Sequence, residues 1–270
     1  MDKTRLQELL QETIPVVKAA GAFIRQELGR VSEDAVEEKS LNSLVSYVDT
    51  TAEKRLVKAL QELLPGSTFL TEEGTVTAQK SNYQWIIDPL DGTTNFLHQI
   101  PVFSVSVALQ EGGQTILGIV YEINRDECFY AIKGQGAFLN GRPIRVTANI
   151  FLKDTLLATG FPYYNYDRIE GYLQVLKTLM AHSRGIRRLG SAAVDLAYVA
   201  AGRFDAFYEY SLNAWDVAAG AFIVQEAGGE VMDFSGGANY LYGQELIAGT
   251  PAIAQEVLQL IRQFFSSEPE

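Results

Sequence analysis

Apolar positions from Thr4 to Leu28 recur at helical spacing. Leu6, Leu9, Leu10, Ile14, Val17, Ile24 and Leu28 fall mainly on one face. The pattern predicts a helix that Pro15 should kink or split. Gly29 to Asn42 reads as a polar loop carrying Lys39. A second helix follows Leu44–Val48, with Leu56, Leu60 and Leu63 as its core face and Pro65-Gly66 as its stop. Thr50 and Glu53 have capping-box spacing at its start. Thr68–Leu70 and Trp85–Ile87 read as short buried strands. Strands are also predicted over Phe103–Leu109, Thr115–Tyr121 and Glu127–Ile132. Glu111-Gly112-Gly113, Asn124-Arg125-Asp126, Lys133-Gly134-Gln135-Gly136 and Asn140-Gly141 supply turns between them. These strands are expected to form an antiparallel sheet.

Past a soft boundary near residues 145–153 the pattern changes. Strands at Thr155–Thr159, Phe204–Glu209, Val231-Met232 and Leu246–Ala248 alternate with helices at Tyr166–His182, after Gly190-Ser191, at Trp215–Ala227 and at Ala252–Phe265. Ser191 is placed to cap its helix. The division is therefore an N-terminal half, 1–150, and a C-terminal βα half, 151–270, within one compact unit.

Composition narrows the class. Of 270 residues 47% are hydrophobic and 20% charged, as in ordinary globular proteins. No apolar run suits a membrane helix, and the N-terminus is amphipathic where a signal core would be apolar. Cys128 is the single cysteine, which excludes an intrachain disulfide and fits a reducing cytoplasm. A formal net charge of −11 disfavours nucleic acid and anionic membranes as partners.

The candidate chemistry centres on Trp85-Ile86-Ile87-Asp88-Pro89-Leu90-Asp91-Gly92-Thr93-Thr94-Asn95. Asp88 and Asp91 are expected on either side of one tight turn at a strand mouth. Two carboxylates so close repel unless a cation lies between them. The N–H groups of Gly92, Thr93 and Thr94 would face an anion at the start of a short helix. Asp-Pro-x-Asp-Gly is equally a good turn sequence. Likewise Asp49 can be a helix-start acid, Glu72-Glu73 a solvated pair and Asp216 an N-terminal helix acid. Small residues behind Asp216 (Ala218, Ala219, Gly220) would let its helix pack closely on a sheet and bring that acid to the strand mouths. Glu209 ends the preceding strand and could face the same cleft. The two histidines, His98 and His182, sit at a loop and a helix end. With no His/Cys cluster, oxygen ligands favour Mg²⁺ or Mn²⁺ over zinc.

Taken jointly, Thr71-Glu72-Glu73-Gly74, the central motif, Leu189-Gly190-Ser191-Ala192-Ala193 and Trp215-Asp216-Val217-Ala218-Ala219-Gly220 with Glu226-Ala227-Gly228-Gly229 resemble the inositol monophosphatase family. These are magnesium-dependent, lithium-sensitive phosphatases. The resemblance implies an α/β (α+β) fold, a layered α-β-α-β-α sandwich of the sugar-phosphatase type with a smaller mixed sheet in the second half. It also implies a cytoplasmic homodimer and a small phosphorylated polyol as substrate. Glu72, Asp88, Asp91, Asp216 and the Leu90 carbonyl would hold two or three Mg²⁺ ions. Glu72 and Thr93 would activate water, with Asp49 supporting Thr93. Gly92 and Thr93 would bind phosphate, and Asp91, Ala192 and Glu209 would contact inositol hydroxyls. The Lys39 loop would close over the site. Ser191 and Ser43 stand where the family commonly has Thr and Asp, and the Gly160–Tyr164 loop is of the bacterial kind. Relatives acting on 3′-phosphoadenosine 5′-phosphate or fructose 1,6-bisphosphate, and a non-catalytic phosphate-binding regulatory protein, are the competing readings.

Overall fold

The structure is a computed structural model that describes residues 1–32, 36–40, 43–76, 81–162 and 166–265, with the side chains of 36–40, 43 and 44 excluded. Helices α1 (Lys3–Glu27) and α2 (Tyr47–Leu63) lie together over one face of a seven-stranded sheet. The strands are β3 (Thr68–Thr71), β4 (Tyr83–Asp91), β5 (Ser104–Glu111), β6 (Gln114–Glu122), β7 (Glu127–Ile132), β8 (Ala137–Leu139) and β9 (Arg142–Ile144), in sequence order across the sheet. A second sheet has the order β11 (Gly185–Arg187), β10 (Leu156–Thr159), β12 (Ala206–Tyr210), β14 (Glu245–Gly249), β13 (Glu230–Met232). Its β10 runs parallel to β11 and β12, and the remaining pairings are antiparallel, so it is mixed as expected. Helices α5 (Ala192–Ala200) and α6 (Ala214–Glu226) fill the space between the sheets, and α4 (Ile169–His182) and α7 (Pro251–Phe265) cover the outer face of the second. Five layers result, α-β-α-β-α, each apolar face buried against the next.

Several expectations need correction. Pro15 does not split the helix, which runs on as a single α1. Residues 36–40, read as loop, form strand β1 (Val36–Ser40), paired antiparallel with β2 (Ser43–Ser46). Lys39 therefore lies on a strand, and its side chain falls outside the described residues, as do Tyr163 and Tyr164. The α2 capping box uses Ser46 and Asp49, not Thr50 and Glu53. The first sheet is not wholly antiparallel, because β3 runs parallel to β4. Asp88 and Asp91 do not flank a turn. They belong to one continuous strand whose pairing with β5 shifts register between them. Pro89 has no N–H to give the ladder, and a bulge accommodates it.

The central layer depends on small residues. Ala218, Ala219 and Ala221 are buried between the sheets. A Cβ built on Gly118 of β6 would lie 2.9 Å from the Ala219 carbonyl oxygen, and one on Gly220 2.6 Å from Leu196 Cβ. Helix α6 is apolar all round because sheets cover it from both sides. Polar ties bind the same layer to the first sheet. Arg203 forks onto both oxygens of Glu127 at 2.5 and 2.6 Å, and Glu226 accepts from Gly134 and Gly136 N–H.

Gly118→Val should push α6 off the sheet. The backbone carbonyl it meets cannot rotate away, so the cost should reach about 1–3 kcal/mol or more, the range for overpacking. A urea-unfolding midpoint equal to that of the unaltered protein would show that the contact has slack.

Candidate active site

The end of β4 supplies three groups to one cleft: Asp88, the Leu90 carbonyl region and Asp91. The bulge lets both carboxylates of one strand share the cleft, whereas strict alternation would send neighbouring positions to opposite faces. Asp88 Oδ1 accepts the Leu90 N–H at 2.9 Å. Asp91 Oδ2 accepts the Ser191 hydroxyl at 2.5 Å and the Ala193 N–H at 2.8 Å, both at the start of α5. One acid thus ties the first sheet to the central helices. Gly92 follows with φ +96°, and a Cβ there would lie 3.1 Å from the Val102 carbonyl oxygen. Only glycine takes that conformation without strain. The chain then turns into the short helix α3 (Thr93–Leu97), whose leading residues Gly92, Thr93 and Thr94 line the cleft.

Asp49 lies behind the cleft wall, fully buried in the first turn of α2. Its Oδ2 accepts from the N–H and hydroxyl of Ser46 at 2.9 and 2.7 Å, and its Oδ1 from the Thr93 hydroxyl at 2.9 Å. The Thr93 oxygen also lies 3.0 Å from the Leu90 carbonyl oxygen. One oxygen of Asp49 thus serves the start of α2 while the other holds the Thr93 hydroxyl at the cleft. Glu72 lines the cleft just past β3, and its N–H bonds the Ile87 carbonyl of β4. The loop carrying it is held from below by Glu53. That buried carboxylate accepts from the Thr71 hydroxyl and the N–H groups of Glu73 and Thr75 at 2.7–2.9 Å.

Asp216 closes the capping box of α6, its carboxylate accepting the Asn213 N–H at 2.6 Å. Across the cleft, Glu209 of β12 stands against Gly160, where a Cβ would sit 1.9 Å from its carboxylate. Ala192, Asp195 and Arg188 complete that wall. The cleft therefore gathers Glu72, Asp88, Leu90, Asp91 and Asp216, as well as Gly92, Thr93, Ala192 and Glu209. Sequence reasoning missed Asp195, Arg188 and the anchor Glu53. Asp195 carried a signal only in hindsight, as an acid one turn after Ser191 on a helix otherwise apolar.

Burial dominates the electrostatics. Desolvation raises Asp88 well above the usual carboxylate range, with the charges of Glu72, Asp91 and Asp216 adding to it. Asp216 is raised well above it too, again by desolvation first, with Asp91 and Glu72 among the further causes. Asp91 is raised to about 6 by desolvation against the lowering pull of Ser191 and the α5 N–H groups. Glu209 and Asp195 are raised well above their ordinary values, by desolvation and then by Asp216 and by Glu209 respectively, while Arg188 lowers both. Asp49 is also raised by desolvation, against its Ser46 and Thr93 donors. Such clustering of perturbed acids in a cleft marks a functional site.

The model of the Inositol monophosphatase family matches residues 5–265. A Mesorhizobium japonicum protein named inositol-1-monophosphatase is 42% identical over 260 residues, covering 96% of this chain and 98% of that one. The Nus factor SuhB of Pseudomonas aeruginosa is 40% identical over 262 residues, covering 95% and 97%. Among solved structures, the IMPase of Thermotoga maritima superposes with a TM-score of 0.87 at 35% identity, covering 95% of this chain and 98% of that one. The chain belongs to the inositol monophosphatase family.

The acids predict an inverted pH dependence of stability in the metal-free protein. Asp91 titrates near 3.8 unfolded and near 6 folded. Between those values the folded state keeps a proton that the unfolded chain has lost, so stability falls as pH rises. The other raised acids extend the effect upward. The Tm in EDTA should decline from pH 4 through pH 6 and beyond, and Asp91→Asn should flatten the first part. A Tm that climbs over this window would show that the cluster is not strained.

Proposed function

We propose that this protein is a Mg²⁺-dependent phosphomonoesterase that hydrolyses myo-inositol monophosphate to inositol and phosphate. The observation carrying this reading is the Thr93 hydroxyl, held by buried Asp49 at 2.9 Å and standing 3.0 Å from the Leu90 carbonyl oxygen, in a cleft shared with Glu72. A binding module has no use for a hydroxyl so fixed beside an acid.

The donor set fits Mg²⁺, with Mn²⁺ as a substitute. Glu72, Asp88, Asp91, Asp216 and the Leu90 carbonyl offer hard oxygen donors, and among the described residues no His or Cys lines the cleft. Among the described residues no three His, Cys, Asp or Glu side chains close round a single point. Glu72, Asp88, Asp91, Asp216 and the Leu90 carbonyl would hold two or three ions between them, with phosphate and water as further oxygen ligands. Bound cations would supply charge neutralisation and lower the pKa of the attacking water.

The chain's own residues would do the rest. The Thr93 proton, given to Asp49, leaves a lone pair on its oxygen to accept from a water molecule. Glu72 would receive the proton that water loses on attacking phosphorus. The Gly92 and Thr93 N–H groups would hold the phosphate oxygens. Ala192, Glu209 and the second oxygen of Asp91 would face the alcohol. Lithium sensitivity, a homodimeric state and a cytoplasmic location belong to the same proposal, resting on the family. No helix among the described residues is long and apolar enough to cross a membrane. The relative's name supports a second reading, as a Nus factor.

Phosphate release from inositol 1-phosphate, fructose 1,6-bisphosphate and 3′-phosphoadenosine 5′-phosphate, with Mg²⁺ and with excess EDTA, separates these readings. Inositol 1-phosphate should be preferred and EDTA should abolish turnover; undiminished turnover in EDTA sinks the mechanism. Glu72→Gln should lose about 10²-fold or more in kcat, the scale of general-base help, and Thr93→Val should fall the same way. Wild-type rates in both variants would leave the water without its proposed base.

A further inference from the structure

Several acids at or just behind the cleft are held by backbone hydrogen bonds. Asp49, Asp88, Asp91 and Asp216 each accept at least one backbone N–H, from Ser46, Leu90, Ala193 and Asn213. Those carboxylates are fixed in place before any ligand arrives. Asp195, only 1% exposed, has a buried Oδ1 that accepts no hydrogen bond among the described residues, and Glu209, 6% exposed, lines the same cleft. A buried carboxylate oxygen without a donor is rare and calls for an explanation.

Asp195 is the more telling of the two, because family resemblance already assigns Glu209. It stands on α5 one turn after Ser191, whose carbonyl accepts the Asp195 N–H at 3.0 Å. Residues three and four apart share a helix face, so Asp195 is on the face that carries Ala192 and Ser191 to the cleft. It lines the cleft on the wall shared with Glu209 and Arg188. Its Oδ1 is buried and has no hydrogen-bond partner among the described residues, and the residue lines the cleft, where a ligand could supply one. A purely structural acid would be expected to reach a nearby donor, as Asp205 does through Thr147, Asn149 and the Leu156 N–H.

We infer that Asp195 is a specificity-determining residue, accepting a hydroxyl of the substrate's alcohol beside the one taken by Glu209. This rests on the phosphomonoesterase reading and narrows it. The substrate class becomes a phosphate monoester whose alcohol carries at least two further hydroxyl groups within reach of one wall. A hydroxyl-poor ester leaves Asp195 as bare as it is in the free protein and gains nothing from it.

The test compares inositol 1-phosphate with p-nitrophenyl phosphate in the full-length protein with Mg²⁺. Asp195→Ala should lower kcat/KM for inositol 1-phosphate by roughly 10–100-fold, the range for a hydrogen bond to a charged group, and leave p-nitrophenyl phosphate within about 2-fold. The loss should lie mainly in KM. Asp195→Asn, which keeps an acceptor oxygen at the same volume, should recover part of it. Both variants should melt no lower than the unaltered protein, because a buried carboxylate with an oxygen lacking a donor is removed. Equal losses on the two esters, no loss on either, or a drop in Tm that accounts for the rate would overturn the assignment. If the unaltered protein releases phosphate from neither ester, the phosphomonoesterase reading itself falls. Turnover of both with an unchanged preference in Asp195→Ala overturns the inference alone.

Discussion

Everything at the cleft depends on how closely α6 can approach the first sheet. Gly118 and the alanines facing it set that distance, since even one methyl group at 118 would meet the Ala219 carbonyl. Because α6 lies so close, Asp216 at its first turn arrives beside the end of β4, where Asp88 and Asp91 already stand. The same approach dries the acids. Their raised proton affinity follows from burial first and from one another second. The protein thus uses its best-packed layer to hold its least favourable charges. Apolar packing of the three core clusters must offset that repulsion.

Much of this was legible because the elements are strongly periodic. Strand β7 has the limits that its turn residues foretell, and α2, α6 and α7 follow their apolar faces to within a few residues. Failures fall where a long-range partner decides the outcome. Nothing local distinguishes a parallel β3–β4 pair from an antiparallel one. The Asp-Pro-Leu-Asp segment has turn chemistry, yet β5 pairs alongside it and draws it into a bulged strand. Ser46 outcompetes Thr50 as the cap because Asp49, three residues on, can reach back to its N–H. Glu53, freed from the capping role, becomes the anchor of the Glu72 loop, a use visible only once β3 is placed above α2.

The positions of four acids at or behind the cleft were legible for a different reason. Asp49, Asp88, Asp91 and Asp216 stand at strand mouths or helix starts, where a carboxylate has backbone N–H groups to accept. Local sequence marks such places. Asp195 has no such signature. In Ala192-Ala193-Val194-Asp195-Leu196-Ala197 it reads as a stray polar residue inside an apolar helix, and only the packing of α5 against the cleft gives it meaning.

That difference in legibility corresponds to a division of labour within the cleft. Acids held by backbone donors have their oxygens aimed by the fold itself, which suits chemistry that tolerates little displacement. Glu209 is packed against Gly160, and Asp195 has a buried oxygen with no donor among the described residues. Backbone-held positions cannot change without refolding a strand end or a helix cap. A side chain that meets only packing neighbours and a ligand can change while β4, α5 and α6 stay as they are. On the proposed reading, a wall so built would let the alcohol-facing side chains vary while the phosphate-handling groups stay fixed, since the fold constrains the second far more tightly than the first.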